Sequence, residues 1–266
     1  MMTSESNFHQ ASIFELISEK KIKRIKLRLT HKLLAILNKK LGFNYIPKPL
    51  LKLCKFLGSV SEIENCTLYL QENGYVSHEI DAKNWDIAHV IANLPDGNFL
   101  DMGSSDSYIL KNVILKGIKG EKYGIDLREP NVPVPGVNYL IGNLTKTNLA
   151  DNFFTSITCL SVIEHEVNFD NFAAEVARLL INKGRLYLTF DYWNPKIVSN
   201  IELYGLKWNP LSQTDVTNLV NTCNKYGLNL VQDIDWTTDK AVITPMNHSP
   251  DQTKSYTFGL LVFEKE

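Results

Sequence analysis

Three groups of residues have the types and spacing to do chemistry. The first is the run Phe99-Leu-Asp-Met-Gly-Ser-Ser-Asp-Ser107, where an apolar stretch ends in small residues. Gly103 stands where a side chain would most obstruct the approach of a ligand to the backbone. Ser104, Ser105 and Ser107 stay small and add hydroxyl donors. The second is Asp126, about 20 residues beyond the loop, where an acid after the next strand can accept hydrogen bonds from two ribose hydroxyls. An ordinary strand-to-helix turn and a surface-paired carboxylate account for the same residues, and a loop and an acid alone leave a nicotinamide cofactor open. The third is a pair of proton acceptors, His165 and Asp191, each following an apolar run. Tyr192, Trp193, Tyr204 and Trp208 surround Asp191 in an aromatic segment suited to a flat acceptor or a cation.

These residues need a scaffold that brings strand ends together. Short apolar runs predict strands over residues 98–102, 123–127, 137–141, 155–162, 185–190, 228–235 and 256–265. Apolar residues at helical spacing predict helices over 84–94, 109–115, 169–180 and 212–226. Ser212 with Asp215 three residues on forms a short capping box for the last of these. Strands alternating with helices imply a Rossmann-like α/β fold, a mostly parallel sheet covered on both faces. No helix separates the last two strands, so one antiparallel strand is expected at that end. In such a sheet a ligand sits beyond the carboxyl ends of the strands.

The motifs, taken in order, resemble the class I S-adenosylmethionine-dependent methyltransferases, in particular the small-molecule and ubiquinone-like group. Asp101 and Gly103 match the first motif, with Ser105 and Ser107 where its second and third glycines usually stand. Gly124-Ile-Asp126 resembles the second motif. Ile141-Gly-Asn-Leu144 resembles the segment whose polar side chain lies near the adenine. Thr155-Ser-Ile-Thr-Cys-Leu-Ser-Val-Ile-Glu-His165 resembles the fourth strand with its Glu-His pair, and the helix, Lys183-Gly184 turn and fifth strand follow. Asn182 replaces a usual proline. The resemblance covers residues 97–192 and argues against the nicotinamide reading. It implies seven strands in the order 3-2-1-4-5-7-6, with strand 7 antiparallel. It also implies S-adenosylmethionine as cofactor, S-adenosylhomocysteine as product, and Asp101, Gly103, Ser104, Ser105, Asp126, Leu127, Asn143, Leu144 and Leu160 as the residues that hold it.

Composition bounds the rest. The chain has 266 residues and formal net charge -1, but residues 1–60 are strongly basic and the remainder acidic. The expected organisation is a basic helical extension over 1–60, with its main helix over 10–42 and a short one over 50–57. A bridging segment and cofactor lid follows over 61–97, and a methyltransferase domain over 98–266 with an acceptor-site insertion at 191–211. Cys54, Cys66, Cys159 and Cys223 form no CxxC pair, so neither a disulfide scaffold nor a metal site is expected. The apolar runs are too short to span a bilayer and the first ten residues are polar, so a cytoplasmic enzyme is expected. The expected acceptor is a hydroxyl of a small molecule or saccharide. Three alternatives stand beside it: a nucleic-acid acceptor drawn by the basic extension, a non-catalytic binding protein, and peripheral contact of residues 20–40 with an anionic membrane.

Overall fold

The run Phe99–Met102 is buried on both faces, Asp101 included, as a strand covered on both sides requires. It lies inside the sheet of a computed structural model that describes residues 48–266. The strands among those residues are β1 (Lys55–Phe56), β2 (Phe99–Met102), β3 (Lys122–Asp126), β4 (Asn138–Ile141), β5 (Phe154–Leu160), β6 (Leu180–Tyr192), β7 (Glu202–Leu203), β8 (Leu206–Lys207), β9 (Leu228–Leu230) and β10 (Thr257–Lys265). The helices are α1 (Val60–Glu72), α2 (Lys83–Asn93), α3 (Tyr108–Lys116), α4 (Phe169–Leu179) and α5 (Gln213–Lys225). The helix expected over residues 10–42, the membrane contact expected at 20–40 and most of the basic extension lie outside the described residues.

The main sheet has eight strands in the order β1-β10-β6-β5-β2-β3-β4, with β9 also paired to β10. The expected seven-stranded order is therefore corrected in count and at one edge. Lys55 and Phe56 pair with Leu260 and Gly259, while β9 pairs with the far end of β10. The short helix expected over 50–57 is replaced by a 3-10 turn at Lys48–Leu51 and this edge strand. β2, β3, β4, β5 and β6 run parallel, and β10 is antiparallel to β6. Parallel strands send their carboxyl ends to one edge, and that edge carries the cleft described below.

Local sequence fixes the helices that follow those ends. Ser107 caps α3 by accepting the Leu110 N–H at 3.1 Å, and Gly117 ends it in the left-handed conformation. Asn168 caps α4 through the Asn171 N–H, and Ser212 and Asp215 form the expected capping box of α5. Phe172, Val176 and Leu179 of α4 pack with Val216 and Leu219 of α5 on Leu188, Phe190 and Leu261 of the sheet.

The segment expected as a bridge over 61–97 contains α1 and α2. Residues Asn84 to Ala92 of α2 are all buried. Tyr187 of β6 donates its hydroxyl to the Asn93 carbonyl at 2.8 Å, and Lys116 donates to the Ile91 and Leu94 carbonyls at 2.6 and 2.9 Å. The last contacts place a cation on the free carbonyls that end α2. Among the described residues no helix is long and apolar enough to cross a membrane.

Candidate active site

Three turns at the carboxyl edge build the site. The first leaves β2 at Gly103, whose φ of +87° suits glycine, and a Cβ there would lie 2.3 Å from Val162 Cγ2. The Gly103 and Ser104 N–H groups donate to the Ile125 carbonyl at 2.8 and 3.2 Å. The second leaves β3 at Asp126, whose carboxylate accepts the Ser105 N–H at 3.0 Å and the Arg128 N–H at 3.1 Å. The acid thus holds the small-residue loop in place. The third leaves β5 through Ser161, Val162 and His165 and enters α4. Ser161 and Glu166 both have left-handed backbones, φ +53° and +56°, a strained state that clusters at functional sites.

A cleft of about 590 Å³ lies between these turns. Asp101, Gly103, Ser105, Asp126, Leu127, Asn143, Leu144 and Leu160 all line it. Ser104 does not; it is buried, its hydroxyl lacks a partner, and it fills the space that a Cβ on Gly124 would need. Asp101 is buried and accepts the Thr158 hydroxyl at 2.6 Å. Burial pushes its carboxyl up to about 6, against the hydroxyls of Ser107 and Thr158. Asn143 Oδ1 accepts from the Thr145 N–H and hydroxyl at 2.9 and 2.8 Å, which fixes its side chain at the exposed end of the cleft.

Residues 100–188 match the family model of a methyltransferase domain. The chain has a class I S-adenosylmethionine-dependent methyltransferase fold. A chain from the complex of the Haloferax volcanii Trm112 methyltransferase activator with a methyltransferase is 14% identical, with a TM-score of 0.51 over 70% of this chain and 91% of that one. The Burkholderia thailandensis 1,6-didemethyltoxoflavin-N1-methyltransferase, solved with 1,6-didemethyltoxoflavin and S-adenosylhomocysteine, is 13% identical, with a TM-score of 0.51 over 70% of this chain and 79% of that one. The YcgJ protein of Bacillus subtilis is 16% identical, with a TM-score of 0.51 over 68% and 98%. No curated protein matches the chain in sequence. The domain and the fold support S-adenosylmethionine as methyl donor and S-adenosylhomocysteine as product.

The residues of this methyltransferase fold suit that donor. The loop at Gly103 leaves backbone open to a ligand, Asp126 offers acceptor lone pairs suited to a diol, and Asp101 and Asp126 carry the charge sign that a sulfonium and an ammonium need. The volume falls within the range of about 300–1,000 Å³ usual for small-molecule sites.

The acceptor-side expectations divide. His165 and Tyr204 line the cleft, with ring centres 6.2 Å apart. Asp191, Tyr192, Trp193 and Trp208 do not line it. The reason is that β6 continues through Tyr192, because β10 pairs with it to Thr257. Asp191 and Tyr192 are therefore sheet residues rather than loop residues. Asp191 is buried and accepts Trp208 Nε1–H at 2.6 Å. Tyr192 packs on Phe56 at 4.1 Å, and half-buried Trp193 donates its N–H to the Leu211 carbonyl.

The cleft also gathers residues that were not expected there. His78, Lys83, Arg128, Ser161 and Glu166 line it. Lys83 pairs with Asp86, three residues on in the same helix, and the i,i+3 spacing was the available sequence signal. Arg128 lies 4.8 Å from the Tyr204 ring centre, so β3 and the β7–β8 hairpin meet across the cleft. No group of His, Cys, Asp and Glu among the described residues is arranged to hold a metal.

Proposed function

We propose that this protein transfers the methyl group of S-adenosylmethionine to a hydroxyl oxygen of a small molecule or saccharide. The bound donor supplies an electrophilic methyl group on a sulfonium. Asp101, Gly103, Ser105, Asp126, Leu127, Asn143, Leu144 and Leu160 would hold it, with Ser104 supporting the loop from behind. Transfer then depends on aligning the acceptor oxygen with the methyl carbon and removing the oxygen's proton.

His165 is the observation that carries the oxygen-acceptor reading. It lies in the cleft four residues past Ser161, and its Nδ1 is buried without a hydrogen-bond partner. Burial lowers its pKa, with hydrogen bonding to the Lys207 backbone opposing the shift. The imidazole is then neutral at pH 7 and able to accept a proton. Asp191, the other proton acceptor of the sequence, serves instead to hold Trp208. Tyr204 is the remaining acceptor-side aromatic at the cleft. The four cysteines are buried and unpaired, which fits a reducing cytoplasm.

The test is turnover with donor labelled in its methyl group, over a panel of phenols, saccharides and amines. His165→Gln is expected to lower turnover by about 10²–10⁴ while S-adenosylhomocysteine affinity, measured by calorimetry, stays at the wild-type level. The acidic limb of the kcat/KM profile should vanish with it. Label arriving on amines rather than hydroxyls overturns the reading, and unchanged turnover in His165→Gln removes the base.

A further inference from the structure

Lys83 begins α2 and lines the cleft apart from the residues that would hold the donor and from His165. Its ammonium donates to Ser161 Oγ at 2.8 Å and pairs with the Asp86 carboxylate. It also lies 5.0 Å from the ring centre of Phe258. The Lys83 side chain is 16% exposed and the Asp86 side chain 0%. Asp86 Oδ1 accepts its neighbour Ile87 N–H at 2.8 Å, and Oδ2 accepts the Thr189 hydroxyl at 3.2 Å. The pair is therefore oriented, with its negative end sunk in the protein and its positive end at the cleft. Burying an ion pair costs desolvation that an apolar pair of the same shape avoids. An oriented dipole facing a cleft attracts an anion there.

The neighbouring groups sharpen the sign. Ser161, which the ammonium touches, follows β5 directly, and His165 stands on the same turn. Among the cleft residues of that turn and the start of α4, from Leu160 to Asn171, Glu166 is the one carboxylate. It lies at the exposed rim, with Oε2 3.4 Å from the Lys207 N–H that donates to it. Glu164 and Asp191 are buried and do not line the cleft, but they and Asp101 lie near enough for the Lys83 charge to oppose the upward shift that burial gives each of them. Asp101, Asp106 and Asp126 belong to the Gly103 and Asp126 turns. The β5 side thus offers an ammonium, a neutral imidazole, a hydroxyl and the amides of Asn168 and Asn171.

We propose that the acceptor carries an anionic oxygen group, a carboxylate or an ionised hydroxyl, and that Lys83 holds that group against Ser161. Lys83 then determines specificity for oxyanions over amines. This inference rests on the methyl-transfer reading for its meaning, but its test is binding rather than turnover.

Full-length protein saturated with S-adenosylhomocysteine is titrated with benzoate and with benzylamine, matched in size and opposite in charge. Benzoate is expected to bind and benzylamine to bind at least about tenfold more weakly. Lys83→Met should weaken benzoate at least about tenfold and leave S-adenosylhomocysteine affinity within a few-fold. Because Lys83→Met strands a buried carboxylate, Lys83→Met/Asp86→Asn is measured beside it, with thermal unfolding to establish that each variant folds. The double variant removes both charges and should lose benzoate equally. Three results overturn the proposal: no benzoate binding to the parent protein, benzylamine binding as tightly, or benzoate affinity unchanged in the folded variant. Failure to bind S-adenosylhomocysteine overturns the methyl-donor reading instead, and the benzoate titration without it still tests Lys83.

Discussion

Gly103 and Asp126 act on the same loop by different physics. At Gly103 the constraint is steric and conformational together. An alanine there meets Val162 at 2.3 Å and must adopt φ +87°. Gly103→Ala is expected to destabilise by about 2–4 kcal/mol, from about 1–3 for overpacking and about 1 for the left-handed backbone. Adding Val162→Ala relieves the first part and not the second, so chemical denaturation should show partial rescue. Full rescue places the whole cost in packing, and no rescue means that Val162 is not the obstruction. At Asp126 the constraint is chemical. Asp126→Ala removes the acceptor of the Ser105 and Arg128 N–H groups as well as the acceptor offered to a diol. Each charged hydrogen bond contributes about 1.5–3 kcal/mol, so S-adenosylhomocysteine affinity should fall at least about tenfold while the fold persists. Wild-type affinity by calorimetry takes Asp126 out of the site.

Elements decide where the residues point, and here sequence and structure part. The small-residue loop, the acid that ends β3 and the Ser212/Asp215 capping box are local patterns, and each forms where its spacing puts it. β1 is two residues long and owes its existence to the open edge of β10, a partner about 200 residues away, so no local pattern announces it. Asp191 and Tyr192 read as loop residues because aromatic and polar residues follow them. Pairing with Phe258 and Thr257 keeps both in the sheet and turns the aromatic segment inward. The i,i+3 spacing of Lys83 and Asp86 announces an ion pair but not its place at the cleft, which depends on how α2 docks. The β7–β8 hairpin shows the energetic consequence. Its tip carries Tyr204 and Gly205 at φ +59° and +80°, the two positive angles of a tight hairpin turn, and reaches Arg128 by one exposed cation–π contact. Its root is Trp208, buried, donating to Asp191 and with its own N–H on the Ile201 carbonyl at 2.9 Å. Tyr204→Ala should therefore change stability by less than about 1 kcal/mol. Trp208→Phe removes the indole donor from a buried carboxyl and should cost about 1–3 kcal/mol. Equal effects of the two on thermal unfolding would mean that the hairpin is not held from its root.

Across the whole molecule, buried titrating groups pull stability in two directions. Burial pushes Asp101 and Asp191 up to about 6, and raises Glu164 well above the carboxylate range with Asp191 beside it adding to the shift. The unfolded chain releases these protons near pH 4. Their contribution is therefore full below about pH 4 and is lost as pH rises through 6 and beyond. His89 does the opposite, because burial lowers it to about 4, and burial lowers His78 and His165 as well. Their contribution is present above about pH 6.5 and is lost as pH falls below it. The two sets oppose each other between about pH 4 and 6.5. Above about pH 7.5 the histidines are neutral in both states and contribute little slope. The raised carboxyls then act alone, each by at most about 1.4 kcal/mol per pH unit. Burial holds the Glu164 proton to a pH well above the ordinary carboxylate range, so the melting temperature is expected to fall as pH rises above neutral and Glu164 loses it. Glu164→Gln can keep the oxygen that accepts the Asp191 N–H at 3.2 Å, and its amide nitrogen takes the place of Oε2, which has no hydrogen-bond partner. It has no proton to lose, so its melting temperature should decline less over that range. A flat profile in the parent protein, or the same decline in Glu164→Gln, means that Glu164 is not the proton reservoir and that the Glu164–Asp191 pair is ionised throughout.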